Sequence, residues 1–191
     1  MENICFVVNK YPNEFEPYML VFLQQLAWEF ADMGKKVTVI CPLPVNLNRK
    51  YLQIPYHTRE YTEKKKSIDI YWPKTAGLGQ SHYVLGRSPV GITTFFLEKA
   101  AERVIRSFTE KPDVIYGHFM APSGIAVARL SDTFKIPAFF ALGESHNTIE
   151  QFGAERAKEE LKDIAGVIAV STYLKRWIVD AGVLEDDKVE V

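Results

Sequence analysis

The chain alternates short apolar runs with longer segments in which apolar residues recur every three or four positions. Residues 4–8, 37–41, 68–72, 113–116, 137–142 and 166–170 are rich in β-branched and aromatic side chains and read as strands. Several of them show no polar alternation, as strands covered on both faces do, and this predicts a parallel sheet. After the first run a helix begins near Tyr18, with Met19, Phe22, Leu23, Leu26, Ala27, Phe30 and Met33 on one buried face, Trp28 on the other and Gly34 as the stop. Further helices are predicted near 92–108, 121–134, 154–163 and 172–181. Successive βαβ units with right-handed crossovers then give an α/β fold, a doubly wound, mainly parallel Rossmann-like sheet with helices on both faces. Ligands of such sheets sit at the carboxyl ends of the strands.

Two stretches break the alternation. Residues 42–66 are polar and punctuated by proline, and Lys64, Lys65 and Lys66 read as a solvated run ahead of the strand "IDIYWP". Residues 73–91 hold four glycines and two prolines between a strand and a helix, which predicts a long loop of the functional kind.

Composition narrows the classes. With 191 residues, 47% of them hydrophobic, the chain can bury one good core, as one domain or a tightly joined pair. Its 23 basic and 24 acidic residues leave a formal charge of -1, so no bulk field points to nucleic acid. Cys5 and Cys41 fall in apolar runs and read as small buried hydrophobes in a reducing, cytoplasmic setting. The start "MENICFVVNK" has too short an apolar run for a signal peptide core, and no later run approaches a membrane span.

Candidate chemistry lies at the strand ends. The first strand leads into "NKYPNEFEPYML", which carries two prolines and no glycine where a glycine-rich phosphate cradle would sit in a dinucleotide-binding fold. Asn9, Tyr11 and Glu14 of this loop are expected on one rim with His118, from "GHFMAPSG", and with Gly143, Glu144, Ser145 and His146, from "LGESHN". That last segment is one residue short of the nucleophile elbow G-x-S-x-G, but no histidine follows His146, so the usual triad order is unattainable. Neither paired-histidine spacing nor C-x-x-C is present, and neither a metal site nor a cofactor is expected. Each candidate also has a plain structural role open to it. His118 suits the cleft and simple hydrogen bonding equally, Glu144 is favoured as a ligand of an acceptor hydroxyl over a solvated cap, and Ser171 and Lys175 are favoured as structural. His82 and Arg87 are minor candidates in the glycine-rich loop.

The segments "FLQQLAWEFADMGKKVTVICP", "KPDVIYGHFMAPSGIAVARLSDTFKIPAFFALG" and "DIAGVIAVSTYLKRWIVDAGVLEDDKVEV" resemble, in order and spacing, the amino-terminal domain of glycosyltransferase family 4. The resemblance implies a GT-B arrangement in which this domain receives the acceptor and a carboxyl-terminal domain, absent from this chain, binds the nucleotide sugar. It implies a retaining, metal-independent transferase acting on a glycan or lipid-linked acceptor, with Glu144 and His118 as the catalytic candidates and Asn9, Tyr11, Glu14, Gly143, Ser145 and His146 as substrate contacts. The alternative is a non-catalytic sugar- or nucleotide-binding module. Two departures stand out. Leu20 occupies the place of a first-loop glycine, and Leu142-Gly143-Glu144-Ser145 stands where many relatives read His-Gly-Ser-Asp. Lys99, Arg103 and Arg106, near Phe95 and Phe96, suit peripheral membrane contact, although a core helix with a solvated basic face is the simpler reading.

Overall fold

The structure, a computed structural model, describes residues 2–78, 89–144 and 152–191. The strands are β1 (Asn3–Val7), β2 (Lys36–Ile40), β3 (Leu43–Pro44), β4 (His57–Tyr61), β5 (Ser67–Tyr71), β6 (Lys74–Thr75), β7 (Val114–His118), β8 (Ala138–Leu142), β9 (Gly166–Ala169) and β10 (Val189–Glu190). The helices are α1 (Val21–Asp32), α2 (Val90–Ser107), α3 (Ile125–Phe134), α4 (Ala154–Leu161) and α5 (Thr172–Asp180). One sheet of eight strands runs in the order β10-β9-β8-β7-β1-β2-β5-β4, and β3 pairs with β6 in a short separate ladder. Every neighbour pair in the large sheet is parallel except β4 with β5. The order reverses at β1, whose two neighbours are β2 and β7, and this is the switch point at which a doubly wound sheet opens a crevice.

The period-two rule of a strand divides the core. Cys5 and Val7 face a cluster that takes in Leu97, Ala101 and Val104 of α2, Ile125 and Leu130 of α3, Leu161 of α4 and Ile178 of α5. Ile4, Phe6 and Val8 face the other cluster, with Leu23, Ala27 and Ala31 of α1. Helices therefore cover both faces, as expected.

Three details differ from the sequence reading. The polar stretch 42–66 contains an antiparallel edge strand, β4, whose alternation is hidden because Glu60 stands at an inward position. Helix α1 begins at Val21, and its buried stripe is Leu23, Ala27 and Ala31, while Phe22 and Met33 are exposed at 44% and 69%. Trp28 is not on a free face, since its indole N–H donates to Glu60 of β4 at 3.0 Å. The unexpected strand is what covers that flank of the helix. Gly34 does end α1, with a φ of 86° and the Lys35 N–H bonded to the Phe30 carbonyl. Lys64, Lys65 and Lys66 are exposed in the β4–β5 turn, and Ser171 caps α5 by accepting the Leu174 N–H at 3.3 Å.

Candidate functional site

Three strand ends meet at the switch point. Beyond β1, Asn13 accepts the N–H groups of Phe15 and Glu16 at 3.0 and 3.1 Å and folds the first loop on itself. Glu16 then reaches Lys10 at 3.1 Å and the Tyr51 hydroxyl at 2.6 Å, tying the loop to the segment after β3. Burial draws the Lys10 pKa down, but its hydrogen bonds to Tyr51 and Glu16 outweigh this and the net shift is upward, so Lys10 stays charged. The loop enters α1 through Leu20, whose φ of 51° lies in the left-handed region.

Beyond β7, Phe119 has φ 67° and ψ 149°, a conformation that glycine usually supplies. The tight turn of residues 120–124 follows, and the Ser123 hydroxyl accepts the Asn9 N–H at 3.2 Å, joining this turn to the end of β1. Gly124 permits the turn, because a Cβ there would lie 2.9 Å from both the Phe119 carbonyl oxygen and the Phe140 ring. Beyond β8, the Glu144 carboxylate accepts the Met120 N–H with Oε1 and the Gly143 N–H, at 3.2 Å, with Oε2. Burial lifts its pKa above the ordinary carboxyl value, against the pull of the backbone N–H groups of Glu144 itself, Met120, Gly143 and Ala121.

These segments enclose a cavity of about 550 Å³. Asn9, Lys10 and Leu20 come from the first loop, Phe119 and Ala121 from the turn after β7, and Glu144 from the end of β8. Pro42, Pro44, Leu47, Tyr51 and residues 75–77 close the far side, and Thr93 and Leu97 of α2 form the back. The lining is mostly apolar with a few converging polar groups, as small-molecule sites usually are.

The expected site residues are distributed unevenly around this cavity. Asn9 and Glu144 line it, and Gly143 supports Glu144 through its N–H. His118 is not among the lining residues. Its ring turns toward α1, 4.8 Å from the Phe22 ring, with Nδ1 2.9 Å from the Tyr116 hydroxyl. Burial depresses its pKa from 6.5 to about 4, so it is neutral at pH 7. Tyr11 is fully buried, and its hydroxyl donates to Glu60 at 2.5 Å. Glu14 is exposed on the loop. Ser145 and His146, like His82 and Arg87, lie outside the described residues. Lys10, Leu20, Phe119 and the 75–77 segment were not anticipated as lining residues. Lys10 carried a signal as a lysine beside Asn9 at a strand end, Leu20 as the residue in the place of a first-loop glycine, and 75–77 as part of the loop expected to be functional. Among the described residues no group of three or more His, Cys, Asp or Glu is placed to hold a metal ion, and no helix is long and apolar enough to cross a membrane.

No family model matches the chain. The chain is similar to TuaC of Bacillus subtilis (strain 168), a protein named as a glycosyltransferase of teichuronic acid biosynthesis. The two are 27% identical over 185 residues, which span 90% of this chain and 45% of TuaC. Among solved structures, the UDP-GlcNAc 2-epimerase from Methanocaldococcus jannaschii superposes with a TM-score of 0.55 at 15% identity, over 98% of this chain and 44% of that one. The calicheamicin glycosyltransferase CalG4 gives 0.53 at 12% identity, over 98% of this chain and 52% of that one. The chain thus spans about half the length of the relatives it matches. It is similar in sequence to a glycosyltransferase, and it shares its α/β fold with the other two.

Proposed function

We propose that the chain is the acceptor-side, amino-terminal domain of a retaining, nucleotide-sugar-dependent glycosyltransferase of family 4. The donor-binding domain would lie outside this chain, completing a GT-B cleft over the cavity. The observation that carries this reading is the similarity to TuaC along 90% of the chain. In the proposed reaction the acceptor oxygen bonds to the anomeric carbon as that carbon's bond to the nucleoside diphosphate breaks, and the hydroxyl proton passes to the departing diphosphate oxygen. Glu144 is the ionisable group best placed to accept a hydrogen bond from that hydroxyl, since its carboxylate lines the cavity at the end of β8 and is held there by backbone N–H groups. His118, one residue before the strained Phe119, supports the wall from behind. Positive charge for the leaving diphosphate would come mainly from the partner domain. The acceptor would be a glycan or a lipid-linked glycan. Membrane contact through α2 is the weaker part of this reading, because Lys99 and Arg106 are paired with Glu98 and Glu102 at 2.6–2.9 Å.

One feature favours a binding module without catalysis: His118 is neutral and faces α1, which leaves Glu144 without a second carboxylate or an imidazole among the described lining residues. Transfer assays on the two-domain protein separate the readings. The wild type is expected to move sugar from a nucleotide-sugar donor, and Glu144→Gln to lose about 100-fold in turnover with a smaller change in KM. Full activity in the Glu144→Gln, His118→Ala double variant would overturn the assignment of these residues. A wild-type protein that binds nucleotide sugars but transfers none would establish the binding module instead.

A further inference from the structure

The Glu144 carboxylate sits where an anion would be expected to bind. It draws the N–H of Met120 from the turn after β7 and the N–H of Gly143 from the end of β8. Convergent backbone N–H groups from separate segments make a hollow that suits a phosphate or carboxylate group. In this chain the hollow is filled from within.

The rest of the cavity offers no substitute. Lys10 is the one cationic side chain among the described lining residues, and it is committed to Glu16 at 3.1 Å and to the Tyr51 hydroxyl at 3.2 Å. An anionic group entering beside Glu144 would meet a carboxylate oxygen, with the Met120 and Gly143 N–H groups already engaged. A neutral hydroxyl would meet carboxylate lone pairs that the two close hydrogen bonds leave open.

We propose that Glu144 is the specificity-determining residue of the cavity: by occupying its own anion-binding hollow, it makes this end accept an uncharged hydroxyl of the ligand and turn away a phosphate or carboxylate. The proposal deepens the acceptor-site reading, yet its test requires no sugar transfer. If transfer were disproved, the outcome below would be unaffected, and if the test failed, the transferase reading would still stand.

The experiment compares wild type, Glu144→Ala and Glu144→Gln during titration with formate and with inorganic phosphate, against chloride at equal ionic strength. Thermal unfolding and backbone amide resonances provide the readouts. Emptying the hollow should let Glu144→Ala bind the added anion saturably. At about 100 mM and an affinity of about 1 mM its Tm should rise by about 7 °C beyond the chloride control. The amide displacements should centre on Met120, Ala121 and Gly143. Wild type should bind at least about 10-fold more weakly at those amides, and Glu144→Gln, which fills the hollow but carries no charge, should fall between wild type and Glu144→Ala. The proposal is overturned if Glu144→Ala responds to formate and phosphate only as it does to chloride, or if wild type binds them equally well at the same amides. If Glu144→Ala does not fold, wild type alone decides. Its Met120 and Gly143 amide resonances must then follow the Glu144 carboxyl carbon as pH is lowered, and failure of either to follow overturns the assignment.

Discussion

Lowering the pH should destabilise this fold through one buried ring. His118 is 8% exposed, enclosed by Phe22, Phe119 and Tyr116, and its pKa is held near 4 by burial. The unfolded chain takes up a proton near 6.5, while the folded chain resists it until about 4. Between those values the unfolded state binds more protons, so stability contributed by the neutral ring is complete above 6.5 and is lost as pH falls toward 4. At about 1.4 kcal/mol per pH unit the whole window is worth roughly 3 kcal/mol, and partial solvent relaxation at the ring reduces this to about 2 kcal/mol. Carboxylates titrate at the lower edge of the same window, so the quantity to measure is a difference between proteins. Urea unfolding of wild type and His118→Gln at a series of pH values from 7.5 to 4.5 isolates it. The glutamine keeps a polar partner for the Tyr116 hydroxyl and removes the titration. Wild type should lose about 2 kcal/mol more than the variant across the series. Equal slopes for the two proteins, or a His118 imidazole that titrates near 6.5 by NMR, would refute the reasoning.

Two further outcomes follow from the packing around α1 and α3. Glu60 accepts the Tyr11 hydroxyl, the Trp28 indole N–H at 3.0 Å and the Gln24 amide at 2.9 Å, so Glu60→Ala should cost about 2–4 kcal/mol by urea unfolding, chiefly from the stranded Tyr11 and Trp28 donors, and Glu60→Gln clearly less. A cost below about 1 kcal/mol would mean that water replaces the carboxylate. Lys135 ends α3 with a φ of 55° on the surface, so Lys135→Gly should raise stability by about 0.5–1 kcal/mol even though the Lys135–Asp132 ion pair is lost. A drop in Tm would show that the pair outweighs the backbone conformation.

The central strands were legible because burial on both faces leaves no freedom of composition: "ICFVV", "VTVI" and "AFFAL" could hardly be anything else in an α/β chain. The edge was not. In β4, "HTREY" pairs on one side only and turns Glu60 inward, where three donors from the first loop and α1 satisfy it. An inward carboxylate looks like solvent-facing polarity until its partners are known. The same limit applied to the candidate site. Strand ends could be located from sequence, so Asn9 and Glu144 came together at one cavity. Which way a side chain turns at a strand end depends on the pleat and on the backbone of the next residue. At His118 that residue is Phe119, whose positive φ bends the chain toward the cavity while the imidazole packs against α1. Tyr11 similarly sinks to a partner, Glu60, that lies 49 residues away in sequence.

Backbone strain gives the cavity its shape. Among the described residues four that are not glycine have positive φ: Leu20, Lys65, Phe119 and Lys135. Lys65 and Lys135 are exposed at turns, whereas Leu20 and Phe119 both line the cavity. Such conformations cost about 1–3 kcal/mol each and persist only where neighbouring bonds over-determine them. At Phe119 the N–H donates to the Ala141 carbonyl at 2.9 Å, the carbonyl accepts the Gly124 N–H at 2.9 Å, and Glu144 fixes the next peptide. Leu20 is pinned through its carbonyl, which accepts the Leu23 N–H at 2.9 Å as α1 begins. The walls are therefore set by backbone as well as by rotamers, which suits a site that must be formed before its ligand arrives. Leu20 also bears on the donor. It keeps the backbone turn that glycine would make, but its side chain lines the space into which a glycine would have let a phosphate approach. With Leu20 and a committed Lys10 on one wall and Glu144 on another, the proposed specificity extends to diphosphate. In the proposed two-domain enzyme that charge must be gripped from the opposite side of the cleft.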